Sequence, residues 1–449
     1  MTSTQPLPPC DATDLGRDLH ALAAELYPLC RSMTGPGVRR TLEILGRLVP
    51  LELHEVPTGT QVLDWTVPRE WQIRDAYVKR PDGQRVIDFK RSNLHVVHYS
   101  VPVRARMSLT ELRPHLHTLP DHPDWVPYRT SYWTEDWGFC LSHSQLERLE
   151  EVPYEVCIDS TLAEGALSYG ELFVPGESRD EVLFSCHICH PSLANDNLSG
   201  MVVAAYLARH ISERPRRLSY RFLFIPATIG AITWLARNEA CLVRIKHGLV
   251  LALLGHSDPV TYKRSRRGNT PIDAAVAHVL ALRDQPYQIV GFEPYGHDER
   301  QFCSPGFNLP IGCLMRAPHG QFPEYHSSAD NLDLVRPENL ADSWAVCAEV
   351  IDVLENNRSY LNLCPKGEPQ LGRRGLYRSL GGAMDRQALE RDLLWVLNLS
   401  DGVHDLLSIA QQAGRPFTAI QQAAYLLLQH ELLRPLTDES AAQTERCTP

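Results

Sequence analysis

The sequence contains no apolar run that approaches the ~20 residues needed to span a bilayer. Its first segment, Met1–Pro6, has neither the basic stretch nor the apolar stretch of a signal peptide. The net charge of −10 also disfavours the broad basic surface with which proteins bind nucleic acids and anionic membranes. We therefore expect a cytoplasmic protein whose partners are peptides or small molecules, with no nucleic-acid or membrane partner. A homo-oligomer is possible, and the sequence does not fix the oligomeric state.

The cysteines lack the regular spacing of a disulfide framework, although twelve are present. The pair Cys186 and Cys189 is not followed by a second pair at the same spacing, which disfavours a zinc ribbon. Several others lie in apolar stretches, where a reduced thiol behaves as a small hydrophobic side chain: Cys140, Cys157, Cys241 and Cys347. Most of the thiols are therefore expected in the core.

One segment, Ser185–Gly200, concentrates potential metal ligands. It carries two histidines, two cysteines and an aspartate behind the apolar residues Val182–Phe184. A buried strand would bring His187 to its carboxyl end, and the following loop would return Asp196 to the same cleft, just before a helix N-terminus that favours a carboxylate. This strand, loop and helix pattern is typical of α/β enzymes and predicts one shared cation.

Two later segments could complete such a site. Tyr295–Phe307 places four consecutive ionisable residues ahead of a Pro-Gly turn, which predicts a binding loop; a solvated charge run is the alternative. Pro318–Asp333 offers His326 in a loop after an apolar run. Taken alone, a histidine such as His326 would more often have a structural role. His326 is a candidate metal ligand because His187 and Asp196 are candidate ligands too.

Aromatic residues cluster between Pro120 and Cys140. The cluster could line a pocket, or it could seal a β-rich insertion against the main domain. Its rings are Trp125, Tyr128, Tyr132, Trp133, Trp137 and Phe139, with Arg129 among them. Both readings stay open.

The element pattern predicts several domains. Apolar strands recur at α/β spacing from Tyr154 to Leu254, which predicts a mixed sheet sandwiched between helices. The expected ranges are 1–60 and 150–365 for an α/β domain, 61–149 for an inserted β-rich domain, 366–382 for a linker, and 383–449 for a small winged-helix-like domain. Acidic residues outnumber basic ones in this tail, which favours packing or oligomerisation over reading of duplex DNA.

These motifs resemble the zinc-dependent aminopeptidase superfamily with co-catalytic metal sites, specifically its bacterial aminopeptidase-like branch. The resemblance covers nearly the whole chain and rests on Cys189–Gly200, Asp298–Phe302 and Pro323–Asp330. It implies an α/β fold: a zinc-aminopeptidase-like three-layer sandwich with a mixed sheet, a β-rich inserted domain and a C-terminal winged helix.

The resemblance also implies ligands, one position at a time. His187 matches the first metal ligand, Asp196 the bridging carboxylate and His326 the final histidine, while Cys189 stands where an orienting aspartate is usual. Two histidines and one carboxylate suffice for a single catalytic Zn²⁺, although Mn²⁺ and Fe²⁺ accept the same ligands.

The chain departs from the superfamily at two positions. Ala227 stands where a glutamate general base is usual, and Leu253 falls where a metal-binding aspartate is expected, so a full two-metal site is disfavoured. Asp298 or Glu299 is the expected replacement for the base. The residues expected to contact substrate are Arg129, Tyr132, Trp137 and Tyr325.

The sequence thus favours a metal-dependent hydrolase that cleaves an amide of a peptide or amino-acid conjugate. The alternative is a catalytically degenerate member that binds ligands or acts as a scaffold, with the ring cluster as its recognition surface. A third reading, a ligand-sensing transcription factor, rests on the tail alone, and the acidic balance of the tail disfavours it.

Overall fold

A computed structural model describes three stretches of the chain: residues 12–131, 133–376 and 383–436. The chain divides into two compact units, Met1–Asp273 with Gln285–Cys347, and Ala274–Asp284 with Ala348–Pro449. None of the helices in these described stretches combines the length and the apolar character needed to cross a membrane.

The described stretches contain both helices and strands throughout. The strands are β1 (Glu52–Pro57), β2 (Gln61–Val62), β3 (Trp65–Thr66), β4 (Glu70–Lys79), β5 (Arg85–Asp88), β6 (Val103–Met107), β7 (Leu116–His117), β8 (Phe139–Cys140), β9 (Tyr154–Ala163), β10 (Ala166–Val174), β11 (Glu181–His187), β12 (Ser219–Ile225), β13 (Ile245–Leu251), β14 (Val260–Lys263), β15 (Tyr287–Val290), β16 (Ile311–Met315), β17 (Ser359–Asn362), β18 (Asp401–Asp405) and β19 (Leu433–Pro435). The α-helices are α1 (Ala12–Leu26), α2 (Pro36–Leu45), α3 (Leu109–Leu112), α4 (His143–Glu147), α5 (Gly200–Ser212), α6 (Ile229–Asn238), α7 (Pro271–Ala281), α8 (Glu299–Phe302), α9 (Pro337–Asn356), α10 (Ala383–Leu399), α11 (Leu406–Ala413) and α12 (Phe417–Gln429).

An eight-stranded mixed sheet forms the centre of the first unit, in the order β1-β10-β12-β11-β13-β16-β14-β15. Strands β12, β11, β13 and β16 run parallel, and β11 and β12 are buried along their whole length. Such continuous burial is typical of parallel strands covered on both faces. The expected α/β fold with a mixed sheet is therefore confirmed, and the carboxyl ends of these four strands share one edge.

Helix α5 packs against three of these strands. It contacts β11, β12 and β13, and α1 contacts α5 in turn. Small and apolar residues occur on nearly every side of α5, and almost all of them are buried, as expected for a helix inside a large core. The start of α5 is consequently held rigidly behind the loop that follows β11.

The β-rich insertion forms a four-stranded antiparallel sheet in the order β5-β4-β9-β6. Strand β9 pairs along its length with β4, so the sheet of the insertion continues to Ala163. The sequence-based boundary at residue 149 is thus too early. The apolar run in β9 looks like a strand of the main sheet, and only the pairing shows which sheet it joins.

The second unit contains α10, α11 and α12 together with a three-stranded antiparallel sheet in the order β18-β17-β19. Strand β17 pairs with both neighbours, so the C-terminal sheet begins at Ser359. The predicted end of the α/β domain at residue 365 is therefore too late. The predicted linker, 366–382, includes residues 377–382, which lie outside the described stretches.

Candidate metal centre

His187 is the last residue of β11 and lies at the shared carboxyl edge of the parallel strands. Its side chain is buried, and β12 and β13 flank β11 on both sides. The predicted placement of His187 at a strand end agrees with this geometry. Residues at this edge of an open α/β sheet face the crevice where ligands bind.

Asp196 lies in an irregular helical turn, Ala194–Ser199, just before α5. The carboxylate of Asp330 accepts hydrogen bonds from the backbone N–H of Asn195 (2.5 Å) and of Asp196 (2.9 Å). The side-chain oxygen of Asn195 accepts a hydrogen bond from the N–H of Gly255 at 3.0 Å. The loop is therefore fixed from two sides, and Asp196 has a defined orientation.

The carboxylate of Asp196 contacts three imidazoles. Its Oδ1 is 2.7 Å from His187 Nε2, and its Oδ2 is 3.0 Å from His326 Nε2 and 3.8 Å from His190 Nε2. Burial opposes ionisation of Asp196, yet the neighbouring imidazoles hold its pKa well below the ordinary value. The structure thus brings together all three predicted ligands, His187, Asp196 and His326.

His190 is a further member of the site that the sequence analysis did not assign as a ligand. The potential ligand atoms of His187, His190 and Asp196 all lie within 4.8 Å of one another. The Cys189 thiol is 3.4 Å from His190 Nδ1 and therefore contacts His190. In the superfamily that the chain resembles, the residue at this position orients the first metal ligand, which here would be His187. A second histidine three residues after the first was the available signal.

Six rings form a closed circuit around this centre. Neighbouring ring centroids are separated by between 3.9 and 5.5 Å. In order, the rings are those of His187, His190, His326, Tyr325, His319 and His297. Burial lowers the pKa of both His190 and His297 well below the ordinary value, which leaves these imidazoles neutral.

Asp298 places a carboxylate beside the position where the general base is missing. Its Oδ1 accepts a hydrogen bond from the backbone N–H of Thr228 at 2.7 Å, and Thr228 directly follows Ala227. Asp298 is buried, and burial raises its pKa above the ordinary value. A carboxylate from the loop before α8 therefore stands next to Ala227.

Glu299, the other predicted base, has a different environment. It is buried and forms an ion pair with Lys263, whose Nζ also donates to the carbonyl of Tyr295 at 2.7 Å. Burial raises the pKa of Glu299, while Lys263 opposes that rise. Lys263 thus ties Glu299 to the loop that carries Asp298.

The predicted substrate contacts divide into groups. Tyr325 stacks on His326 with ring centroids 3.9 Å apart, and its hydroxyl is 3.1 Å from His319 Nδ1. Trp137 stacks instead on His115, at 3.6 Å, and packs against the core of the first unit. Arg129 is exposed, and Tyr132 lies outside the described residues.

These side chains fit a divalent cation. Neutral imidazoles and a carboxylate are the ligands that catalytic zinc sites use, with one position left for a water molecule. In the described part of the site, His297 Nε2 is buried without a hydrogen-bond partner. One buried imidazole nitrogen at the centre is therefore available to a ligand. Mn²⁺ and Fe²⁺ accept similar ligands, so the ion is not identified by this set.

Comparison with known proteins gives a consistent assignment. Residues 20–357 match a family described as a domain of unknown function, DUF4910, and residues 358–435 match a winged helix-turn-helix family. A protein of Clostridium acetobutylicum is 50% identical over 94% of this chain and 98% of its own length. Its name refers to polysaccharide biosynthesis and to an aminopeptidase-like domain.

Solved structures agree with this result. A crystal structure from Clostridium acetobutylicum, named as that of a peptidase, has a TM-score of 0.91 and 48% identity over 95% of this chain and 98% of that one. A zinc aminopeptidase of Bacillus subtilis has a TM-score of 0.56 at 12% identity, over 78% of this chain and 96% of that one. The second likeness supports the expected fold and no more.

Proposed function

Because this chain belongs to the DUF4910 aminopeptidase-like family with a C-terminal winged helix, we propose that it is a metal-dependent hydrolase of an amide bond. The observation that carries the proposal is the buried carboxylate of Asp196 with three imidazoles around it. The substrates we propose are peptides or amino-acid conjugates. Since the name of the Clostridium relative refers to polysaccharide biosynthesis, conjugates with sugars belong among them.

We assign His187, His190 and Asp196 as the residues that hold one cation, preferably Zn²⁺. The ligand atoms of these three residues lie close together, and the imidazole of His326 adjoins the same carboxylate. A divalent cation bound there would supply Lewis acidity for an amide carbonyl and for a water molecule. The stacked Tyr325 ring would hold His326 in place against that carboxylate.

Asp298 is our candidate for the general base. Its Oδ1 is engaged by the N–H of Thr228, so the proton from the attacking water would pass to Oδ2 and then to the leaving amine. Burial raises the pKa of Asp298, which brings a carboxylate closer to the range that suits proton transfer at neutral pH. This role would compensate for Ala227.

Glu299 is assigned a positioning role. Its ion pair with Lys263 and the hydrogen bond from Lys263 to Tyr295 fix the start of α8, where Asp298 is located. The ammonium of Lys263 already occupies the carboxylate of Glu299, whereas the carboxylate of Asp298 lies beside the backbone of Thr228, next to Ala227. Asp298 is therefore the better candidate of the two.

A catalytically degenerate binding protein is the second candidate, and Ala227 and Leu253 are the observations that favour it. Leu253 is fully buried, and its side chain belongs to the core cluster. Neither position supplies an oxygen atom from its side chain. A protein of this kind would bind a cation and a ligand without turnover.

The deciding experiment combines metal analysis with turnover. The full chain, purified without an affinity histidine tag or chelator, is analysed by mass spectrometry and assayed on aminoacyl amides, dipeptides and N-acyl amino sugars. We expect about one metal ion per chain and hydrolysis of at least one class, both lost in His187→Ala. The matched control is His404→Ala in the second unit, whose imidazole pairs with Asp401.

Retention of both metal and activity in His187→Ala would overturn the assigned centre. Retention of metal with no turnover of any class would favour the binding protein instead.

A further inference from the structure

Two tryptophans form an exposed pair on the inserted domain. Trp65 on β3 is 37% exposed and Trp133 is 46% exposed, and their ring centroids are 5.3 Å apart at an interplanar angle of 58°. Exposed indoles are costly to keep in water, and a joined pair on a surface indicates a binding role. The metal centre does not use either ring in the contacts described above.

The two segments that carry these rings are joined a second time. Arg69, shortly after β3, forms an ion pair with Glu135, two residues after Trp133. The hairpin of β2 and β3 and the loop around Trp133 are therefore connected by a ring contact and by a charge contact. This double connection gives the pair a defined geometry.

Both segments are connected to elements that border the metal centre. Five residues before Trp133, the N–H of Tyr128 donates to the carbonyl of His326 at 2.7 Å, and the Tyr128 ring lies against that of His190. Since an extended chain spans at most ~3.6 Å per residue, Trp133 lies within about 18 Å of this contact. On the other side, β2 packs against α6, the helix that begins directly after Thr228.

The chemistry of the surroundings indicates the occupant. Apart from Leu63, which is 50% exposed, the exposed side chains beside the two rings are polar or charged: Gln61, Asp64, Thr66, Arg69, Thr134 and Glu135. The apolar surface of two indoles and one leucine inside such a rim is far smaller than the ~800 Å² that each partner of a stable protein interface buries. A sugar ring fits better, because its C–H face packs on an indole while its hydroxyls bond to carboxylates, amides and guanidinium groups.

We propose that Trp65 and Trp133 form a platform for the carbohydrate part of the substrate. The substrate class is then an oligosaccharide that carries an amide-linked acyl or aminoacyl group. This inference rests on the proposed hydrolase function for the location of the amide at the metal centre. The binding of sugar to the platform is independent of turnover.

The test is a binding measurement on the full chain. The probes are an array of neutral, N-acetylated and uronic-acid oligosaccharides, with trialanine amide as the peptide comparator, followed by titration monitored through tryptophan fluorescence. We expect one oligosaccharide class to bind, and Trp65→Ala and Trp133→Ala each to weaken binding about tenfold or more. Trp395→Ala, which removes a tryptophan of similar exposure (38%) in the second unit, is the matched control and should leave affinity unchanged.

The outcomes separate the two proposals. Oligosaccharide binding that persists in His187→Ala supports the platform even if no amide is hydrolysed. Hydrolysis of simple amides without binding of any oligosaccharide overturns the platform and leaves the hydrolase in place. Preference for trialanine amide over every sugar, or binding that neither tryptophan change weakens, also overturns it.

Discussion

Replacement of Asp298 by asparagine tests the proposed mechanism most directly. Asparagine keeps the side-chain oxygen that accepts the hydrogen bond from Thr228 N–H, which is 2.7 Å long in the structure. It also keeps the volume of the buried side chain but cannot accept a proton as a carboxylate does. The variant should therefore fold normally and lose proton transfer.

The expected loss of activity follows from the proposed role of Asp298 as the general base. General-base catalysis typically contributes about 10²–10⁴-fold to the rate, which corresponds to about 3–5 kcal/mol of activation barrier. In the described structure, Asp298 makes no hydrogen bond to His187, His190 or Asp196, so metal content should stay unchanged. We expect kcat to fall by that factor while KM changes little.

A second substitution strengthens the assay. Ala227 adjoins Thr228, so Ala227→Glu in the Asp298→Asn background would place a carboxylate beside the lost one. Partial recovery of kcat is the expected result, measured on whichever amide the wild-type protein hydrolyses. The matched control is Ala227→Gln in the same background, which adds similar volume without a proton acceptor.

A kcat of Asp298→Asn within about threefold of the wild-type value would refute the role of Asp298, because such a change is far below the ~10²-fold expected of a general base. Loss of metal from the variant would also refute it, since Asp298 would then support the ligands. Equal recovery from glutamate and glutamine at position 227 would show that volume, rather than charge, is what the site lacks.

Three further outcomes are expected. His190→Ala should abolish metal retention during purification, because His190 is a proposed metal ligand. His326→Ala should weaken the affinity for the metal about 10–100-fold, as expected for the loss of a group that only supports a ligand. Equal loss of metal in both variants, measured by mass spectrometry, would make His326 a ligand as well. Arg39→Met should lower the free energy of unfolding by about 1 kcal/mol at pH 7, because Arg39 holds the pKa of Glu55 and of Glu70 below the ordinary value. Those lowered pKa values stabilise the fold at pH above about 5 and cease to do so as both carboxylates are protonated in acid, so the difference in urea midpoints should shrink as the pH falls below 4.5. The winged-helix unit should give no specific shift of duplex DNA at physiological salt, and a shift that is lost on removal of the tail would contradict this.

Much of the fold could be predicted because its central strands are continuous apolar runs. Strands β11 and β12 are buried on both faces, so their sequences carry an unambiguous signal and place His187 at a strand end. Domain boundaries were harder to predict, because they depend on pairing between distant strands. Strand β9 joins the inserted sheet through β4, and no local pattern in the sequence distinguishes that pairing from membership of the main sheet.

The centre shows a similar division. His187, Asp196 and His326 could be assigned from motifs because each occupies a position that resembles the superfamily. His190 could not, because the resemblance gives no role to that position, and its proximity to Asp196 depends on how the loop before Ala194 folds back. The choice between Asp298 and Glu299 also required the structure, since the two are adjacent in sequence and differ only in the partners that they meet.

The two missing carboxylates have different structural consequences, and this supports one cation rather than two. Beside Ala227 the chain supplies the carboxylate of Asp298 from another loop, and this carboxylate is the proton acceptor of the proposed mechanism. At Leu253 no comparable replacement occurs in the described structure: the leucine side chain is buried in the core, and its backbone N–H donates to Asn197 Oδ1 at 3.1 Å. In the proposed mechanism, one bound ion and the carboxylate of Asp298 would meet the two requirements of hydrolysis at a single metal.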